Sequence, residues 1–320
     1  MPRVDVFAAA LRALDDGHAV ALATVIGAHG STPRHLGARM AVTTDGAQWG
    51  TVGGGRIEQL VVAAAREIAG GGAGRVVRQH LVRDLAMCCG GAMEVAVVAA
   101  EPSREALVQL TTTPGPHTVI TPLDGGVMVV RPPRAGDPRP HHPIVDGDHM
   151  IECVNAPERV VMFGLGHVGR AVGPLLAHLG FTVYACDDGE TGATEPLPAW
   201  ATVIESFDPV EVEREVGGFT LDDYVLIVTR DHSIDLQLLE KLIGRDDIGY
   251  LGMIGSRGKI GRFRKRLAAR GVLDGEAGEA RWQRLHAPIG LNIGAETPDE
   301  IAIAIAAELV ACRRQVTTGA

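Results

Sequence analysis

Apolar runs of strand length alternate with stretches of helical periodicity throughout the second half of the chain, and this alternation constrains the fold more than any other feature. The strands are predicted at 159–163, 181–186, 201–205, 224–229 and 248–253. The helices are predicted at 167–179, 208–216, 234–243 and 298–314. This pattern is typical of a doubly wound parallel sheet with helices on both faces. Residues 158–320 are therefore predicted to form a Rossmann-like α/β domain.

The first predicted strand of this half ends in the hexapeptide Gly-Leu-Gly-His-Val-Gly, which opens a helix. Gly164, Gly166 and Gly169 permit a tight turn and let a phosphate approach the helix N-terminus. Asp187, at the end of the next strand, or its neighbour Asp188 could bind a ribose hydroxyl. His167 is a candidate ligand contact or simply an exposed residue. We predict a nucleotide site rather than a turn that serves packing alone, and the identity of the nucleotide stays open.

A second glycine-rich turn begins at Gly252 and follows another predicted buried strand. Ser256 is placed to cap the next helix, and Arg257 and Lys259 stand where an anionic group would approach. Ligands of open α/β sheets gather at the carboxyl ends of the strands, which is where both turns fall. Ser256 and Lys259 are therefore candidate ligand-binding residues.

The first half, residues 1–130, mixes strands and helices without regular alternation and is predicted to be an α+β domain. Helices are predicted at 4–16 and 56–69, and strands at 18–26, 38–44, 48–52, 75–82, 92–99, 117–121 and 126–131. Residues 131–143 are rich in proline and histidine, a composition that disfavours helices and central strands. We therefore assign residues 131–157 to a linker with a connecting strand.

A third strand–glycine–helix turn lies in the first half, and a polar loop near residue 31 could face it. Together the two segments offer backbone amides, hydroxyls and a guanidinium to an anion. The alternative is an ordinary turn with surface charges. The candidate binding residues of this half are Ser31, Thr32, Arg34, Gly53, Gly54, Gly55 and Glu58.

Two adjacent cysteines, Cys88 and Cys89, precede Gly90 and Gly91. Adjacent cysteines rarely form a disulfide, and they lack the C-x-x-C spacing that zinc sites favour. The glycines let a ligand approach the backbone closely. A thiolate here could bind a soft metal or carry sulfur, whereas the alternative is a pair of small core residues. The four residues alone leave both interpretations open.

Charge and composition exclude several classes of protein. The net charge of −9 argues against nucleic acid as a main partner. Five cysteines in 320 residues indicate a reducing compartment rather than a disulfide framework. No apolar run reaches transmembrane length, and the N-terminal segment lacks the character of a signal peptide. We expect a cytoplasmic protein.

These motifs, in this order, resemble the signatures of the xanthine dehydrogenase accessory protein family, also called XdhC/CoxI, over nearly the whole chain. The first-half signatures are Gly30-Ser31-Thr32-Pro33-Arg34, Gly53-Gly54-Gly55 with Glu58, and Met87-Cys88-Cys89-Gly90-Gly91. The second-half signatures are Phe163 to Gly169, Gly255 to Lys259, Pro288 to Leu291, Ile293 to Ala295, Thr297-Pro298 and Glu300 to Ala302. Several ordered signatures are far more specific than any one of them.

The resemblance implies a factor that matures molybdenum hydroxylases. Such proteins bind the molybdenum cofactor, protect it while its terminal sulfido ligand is added, and deliver it to the apo-enzyme, without oxidising xanthine themselves. The family pattern matches the cysteine directly before Gly-Gly, so Cys89 is favoured over Cys88 as a molybdenum or sulfur ligand. The implied partners are an apo molybdenum hydroxylase and a cysteine desulfurase, and a homodimer is a further expectation. Whether the cofactor is a mononucleotide or a dinucleotide stays open.

Two other functions remain as alternatives. A nicotinamide-dependent oxidoreductase fits the second half, but it offers no identifiable catalytic acid and leaves the Cys-Cys-Gly-Gly stretch unexplained. A scaffold that docks the target enzyme predicts no affinity for a small molecule.

Overall fold

The computed structural model describes residues 5–85, 90–189 and 196–315. The chain divides into two compact units, Met1–Ala156 (unit 1) and Pro157–Ala320 (unit 2). Unit 1 contains two sheets and unit 2 contains one, and each unit has its own clusters of buried apolar residues.

The first sheet of unit 1 has five antiparallel strands in the order β3-β2-β1-β5-β4. They are β1 (Val20–His29), β2 (Arg39–Thr43), β3 (Gln48–Gly50), β4 (Arg75–His80) and β5 (Ala92–Ala99). The helices of this unit are α1 (Val6–Asp15), α2 (Gly55–Ala69), α3 (Leu81–Leu85) and α4 (Arg104–Thr112).

Residues of β1 alternate between two cores, one on each face of this sheet. Ala21, Ala23 and Val25 belong to the core that contains the buried residues of α2. Val20 and Leu22 belong to the core that contains those of α1 and α4. The strand reads as a continuous apolar run because both of its faces are covered. The α+β character predicted for this half is confirmed.

A second, four-stranded antiparallel sheet completes unit 1 in the order β7-β6-β9-β8. Its strands are β6 (His117–Pro122), β7 (Val129–Arg131), β8 (Ile144–Asp146) and β9 (His149–Val154). Residues 131–157, which the sequence suggested as a linker with one connecting strand, thus contain two strands and lie almost wholly in unit 1. The proline-rich loop before β8 is held by Asp137, which accepts hydrogen bonds from Arg131 and from the Thr118 hydroxyl.

Unit 2 contains a six-stranded parallel sheet in the order β12-β11-β10-β13-β14-β15. Its strands are β10 (Arg159–Phe163), β11 (Thr182–Cys186), β12 (Thr202–Ile204), β13 (Tyr224–Ile227), β14 (Tyr250–Met253) and β15 (Leu285–His286). Its helices are α5 (His167–His178), α6 (Pro209–Val216), α7 (His232–Leu242), α8 (Arg257–Ala269), α9 (Gly275–Gln283) and α10 (Pro298–Arg313). The predicted doubly wound sheet is confirmed, whereas β15 and α9 had not been predicted.

The two faces of this sheet separate the side chains of β10 into two cores. Val161 and Phe163 belong to the core that contains the buried residues of α6, α7 and α8. Val160 and Met162 belong to the core that contains those of α5 and α10. The capping box Thr297/Glu300 starts α10 as its sequence pattern predicts. The strand order reverses at β10, so the carboxyl ends of β10 and β13 border the crevice where such sheets bind ligands.

Candidate functional site

The glycine turn that follows β3 is organised by one carboxylate. Gly53, Gly54 and Gly55 all have positive φ, a conformation that other residues rarely adopt. Glu58, one turn into α2, accepts hydrogen bonds from the Thr51 hydroxyl and from the amides of Val52 and Gly54. Glu58 was predicted as a binding residue, and the structure shows that its carboxylate already holds the turn.

The hydrogen bonds to Glu58 favour its charged form. Burial raises the pKa of this carboxyl, but the bonds from Thr51, Gly54 and Val52 outweigh burial and leave the pKa below its ordinary value. A carboxyl with a lowered pKa adds stability above its ordinary pKa and loses that contribution as the pH falls through the folded value.

Glu58→Gln is expected to flatten the acid side of the stability profile of unit 1. Gln keeps an acceptor but cannot be protonated, so the wild type should lose more stability than the variant below the ordinary glutamate pKa of 4.5. Urea titrations across this pH range measure the difference. Parallel curves for the two proteins would contradict the assignment.

Three motifs that are far apart in the sequence meet at this turn. A Cβ on Gly53 would lie 2.6 Å from Pro33 Cγ and 3.6 Å from Arg34 Cγ. A Cβ on Gly91 would lie 2.4 Å from the carbonyl oxygen of His29 and 2.6 Å from that of Ser31. The Gly91 amide also donates to the Ser31 carbonyl, at 3.0 Å. The loop at 30–34 is thus packed between the glycine turn and the Gly90-Gly91 pair.

Cys88 and Cys89 lie outside the described residues, but the residues on either side of the gap are placed. The Leu85 carbonyl, at the end of α3, accepts a hydrogen bond from Arg56 Nη1 at 3.2 Å. Gly91, on the other side, packs against the loop at 30–34. Both flanks therefore contact motifs of the candidate site, and the role of either thiol stays a prediction.

Several groups at this site remain available to a ligand. A Cβ on Gly54 or on Gly90 would meet no described atom within 4 Å beyond its own chain neighbours. No side chain of the described residues caps the N-terminus of α2. Arg34 and Ser31 are exposed, and no described carboxylate lies within ion-pair distance of Arg34. Glu58 and Thr51 already accept the amides of Val52, Gly53 and Gly54, so the uncapped amides are those of the first α2 turn from Gly55 onward. Uncapped amides near an exposed guanidinium are suited to a phosphate.

The glycines of the first unit 2 turn have different roles. A Cβ on Gly164 would lie 2.6 Å from the Val228 carbonyl oxygen, and one on Gly169 would lie 2.1 Å from the Gly164 carbonyl oxygen. These two positions therefore serve the close approach of β10, α5 and the end of β13. A Cβ on Gly166 would meet no described atom within 4 Å, so the backbone is open at that position. His167 is exposed beside it, in the first turn of α5.

Asp187 lies at the end of β11 as predicted, but it is buried and hydrogen-bonded to the protein. Its Oδ2 accepts the Leu165 amide at 2.8 Å, and its Oδ1 accepts the Gly189 amide at 3.3 Å. Only 4% of the residue is exposed. The carboxylate therefore holds the glycine turn in place. Each of its oxygens keeps a lone pair that could accept a hydrogen bond from a ribose hydroxyl.

Lys259 is not an exposed cation. Its Nζ lies 2.5 Å from Asp235 Oδ2 and donates to the Ile254 carbonyl at 3.0 Å. Asp235 also accepts the Thr229 hydroxyl at 2.7 Å. Lys259 therefore forms a buried ion pair instead of the direct contact with an anionic ligand that the sequence suggested. Ser256 caps α8 by accepting a hydrogen bond from the Lys259 amide, as predicted.

Sequence reasoning overlooked Thr229 and Asp235. Both are polar residues at a strand end and in the next helix, where turn and cap residues are common. No local pattern distinguishes a buried partner of Lys259 from such residues.

Neither a membrane-spanning helix nor a metal-binding cluster occurs in the part of the chain that the structure describes. No helix there is both long and apolar enough to cross a membrane. Nor do the described segments contain a group of three or more His, Cys, Asp or Glu side chains that could hold a metal ion.

The strand order and the glycine turn define unit 2 as a Rossmann-type domain, and unit 1 is an α+β unit with its own glycine-rich turn. The family comparison agrees: residues 160–309 match the XdhC Rossmann domain, and residues 13–80 match the XdhC and CoxI family. The chain belongs to the XdhC/CoxI family.

In each curated relative, the match with this chain covers about half of the relative's length. The uncharacterized protein YqeB of Escherichia coli K12 is 28% identical, over 99% of this chain and 48% of that protein. A relative from Bacillus subtilis 168, named as a probable xanthine dehydrogenase subunit, is 26% identical, over 52% of this chain and 46% of that protein. The chain thus spans about half the length of the curated relatives it matches.

A solved structure has the same fold. The crystal structure of a xanthine dehydrogenase from Bacillus halodurans superposes with a TM-score of 0.68 at 21% identity, and covers 97% of this chain and 96% of that one. At this identity the match shows the fold alone.

Proposed function

We propose that this protein is an accessory factor of a xanthine dehydrogenase-type system that binds the molybdenum cofactor. It holds the cofactor while a terminal sulfido ligand is added and then delivers it to an apo molybdenum hydroxylase. The proposal depends on one observation: the loop at 30–34, the glycine turn at 53–55 and Gly91 meet beside the flanks of the Cys88-Cys89 pair. Family membership and the name of the Bacillus subtilis relative support it.

The residues of unit 1 fit the chemical parts of this cofactor. The uncapped amides of the first turn of α2, from Gly55 onward, together with Arg34 and Ser31, would hold the anionic phosphate. Cys89, with Cys88 beside it, would supply a soft thiolate, the type of ligand that suits molybdenum or transferable sulfur. When bound, the cofactor supplies the molybdenum–dithiolene redox centre on which hydroxylase chemistry depends.

Unit 2 would bind a nucleotide at its first glycine turn. Gly166 leaves the backbone open to a pyrophosphate, and the first turn of α5 offers its amides. The proposal further includes a cysteine desulfurase as sulfur donor, a homodimer and a cytoplasmic location.

Cys89→Ala is the direct test of the thiol. We expect the variant to retain no more than about a tenth of the molybdenum cofactor that the wild type retains. A metal–thiolate bond contributes more than about 1.4 kcal/mol to the binding free energy, which corresponds to tenfold in affinity. Protein purified from a host that makes the cofactor would be assayed for molybdenum by mass spectrometry and for oxidised pterin by fluorescence. Activation of an apo molybdenum hydroxylase gives the functional readout.

Cys88→Ala is the matched control, since it removes a thiol one residue away and is expected to retain the cofactor. Equal cofactor loading and equal client activation by wild type and Cys89→Ala would contradict the thiol assignment. A wild type that carries neither molybdenum nor pterin would contradict the carrier function itself.

The Rossmann topology of unit 2 favours one alternative, an NAD(P)-dependent oxidoreductase. Asp187, the carboxylate that would contact a ribose under either function, is buried against the Leu165 amide and so does not distinguish the two. Titration of the purified protein with NADH separates the two functions: an oxidoreductase shifts the NADH fluorescence and turns over a substrate, whereas an accessory factor carries pterin.

A further inference from the structure

We propose that the buried residues Thr229, Asp235 and Lys259 are positioning residues for the unit 2 ligand site. This inference rests on the nucleotide binding proposed for unit 2. The three side chains would set the spacing between the loops that follow β13 and β14, so that these loops and the Gly164 turn together fit a nucleoside diphosphate.

One carboxylate and the lysine paired with it join four structural elements. Asp235, in the first turn of α7, is 0% exposed and is bonded through both of its oxygens. Its Oδ1 accepts the hydroxyl of Thr229, from the loop after β13. Its Oδ2 pairs with Lys259 Nζ, from the first turn of α8, which also donates to the carbonyl of Ile254 in the loop after β14. A shift of either loop would break at least one of these bonds.

Thr229 connects this network to the ligand-facing turn. A Cβ on Gly164 would lie 2.8 Å from Thr229 Cα, so the backbones of the two loops are already in close contact. The Thr229 hydroxyl also accepts the Asp231 amide, at 3.3 Å, which fixes the chain between β13 and α7. The position of the Gly164 turn therefore depends on where Asp235 holds Thr229.

Stability alone is a poor reason for such a cluster. Burying two charges costs about as much free energy as their attraction returns, and well-packed apolar replacements of similar volume are often neutral or stabilising. What a bonded pair provides, and an apolar pair does not, is a defined distance and direction between the elements that it joins. His232 Nδ1, 3.8 Å from Asp235 Oδ2, and the Phe263 ring, 5.4 Å from Lys259 Nζ, also lie beside the pair.

The first test compares Thr229→Val with Thr229→Ser. Valine keeps the shape but removes the hydroxyl, whereas serine keeps the hydroxyl. Binding of ADP, GDP and CDP would be measured by isothermal titration calorimetry at fixed salt. Affinities are compared for whichever of the three nucleotides the wild type binds most tightly. We expect Thr229→Val to bind it about tenfold more weakly than wild type, and the affinity of Thr229→Ser to lie within about threefold of wild type. The reason is that one buried hydrogen bond is worth about 1–1.5 kcal/mol.

The second test replaces the ion pair as a whole with Asp235→Leu and Lys259→Met together. This double variant is expected to melt close to the wild-type temperature, yet to lose at least about tenfold in nucleotide affinity. If the double variant does not fold, the comparison of Thr229→Val with Thr229→Ser alone tests the positioning role.

The outcomes separate this inference from the proposed function. Wild type that binds a nucleotide, with variants that bind it equally well, would overturn the positioning role and leave nucleotide binding intact. Equal weakening by Thr229→Val and Thr229→Ser would also overturn it, because the hydroxyl would then be irrelevant. Wild type that binds none of the three nucleotides would overturn both the positioning role and the nucleotide binding proposed for unit 2.

Discussion

Lys259→Met is expected to lower the free energy of unfolding of unit 2 by about 3–5 kcal/mol, the usual cost of leaving a buried charge without its partner. Asp235 is 0% exposed, and Lys259 is the lysine whose ammonium group pairs with it. Methionine fills the space of the lysine stem, so the loss would come from the charge and not from a cavity. Urea denaturation, with hydrogen exchange of β13 peptides to report on unit 2, measures it.

The contrast with a surface lysine makes this prediction specific. Lys265 lies on the same helix, α8, and is exposed. Lys265→Met should change the free energy of unfolding by no more than about 0.5 kcal/mol. Equally mild effects of Lys259→Met and Lys265→Met would contradict a buried Lys259–Asp235 ion pair.

Gly91→Ala is expected to destabilise unit 1 by about 3 kcal/mol and to displace the loop at 30–34. The added methyl group would lie 2.4 Å and 2.6 Å from two backbone oxygens, those of His29 and Ser31. Backbone oxygens cannot move aside as a flexible side chain can, so β5 and the loop must separate. The hydrogen bond from the Gly91 amide to Ser31 would be lost with them. Denaturant titration of unit 1 gives the free energy, and cofactor retention reports on the site.

Gly90→Ala is the control for this substitution. A Cβ there meets no described atom within 4 Å, and the residue is exposed, so stability should stay within about 0.5 kcal/mol of wild type. Should Gly90→Ala unfold unit 1 as readily as Gly91→Ala, the proposed steric cause would be wrong.

Much of the fold follows from local sequence signals. The long helices α2 and α5 carry clear amphipathic periodicity, and α10 is marked by its capping box and an apolar run. The structure contains these helices and the strands of the parallel sheet where they were predicted. The elements that escaped prediction are α3 and α4 in unit 1 and β15 and α9 in unit 2, and all but α4 are short or bury few side chains. The strand β15 has two residues, and α9 has a single buried residue, Gly278. Such segments are ordered by packing against the rest of the unit rather than by their own pattern.

The candidate sites were only partly accessible from sequence. The glycines were identified, but their division into packing positions and open positions was not, because it depends on which atoms from distant segments lie nearby. A Cβ on Gly169 would face a carbonyl oxygen at 2.1 Å, whereas one on Gly166 would face open space, and the sequence assigns the two glycines the same role.

The sequence by itself determined the α/β class of unit 2, the places of its glycine turns and the resemblance to one family, because strand and helix periods and turn residues are local properties. Only the tertiary structure decided which charged side chains are buried and which partners they contact. Lys259 meets a partner 24 residues away, and Asp187 one 22 residues away. Whether a charged side chain faces solvent or a buried counter-ion depends on how the chain brings distant segments together, and no spacing along the sequence records it.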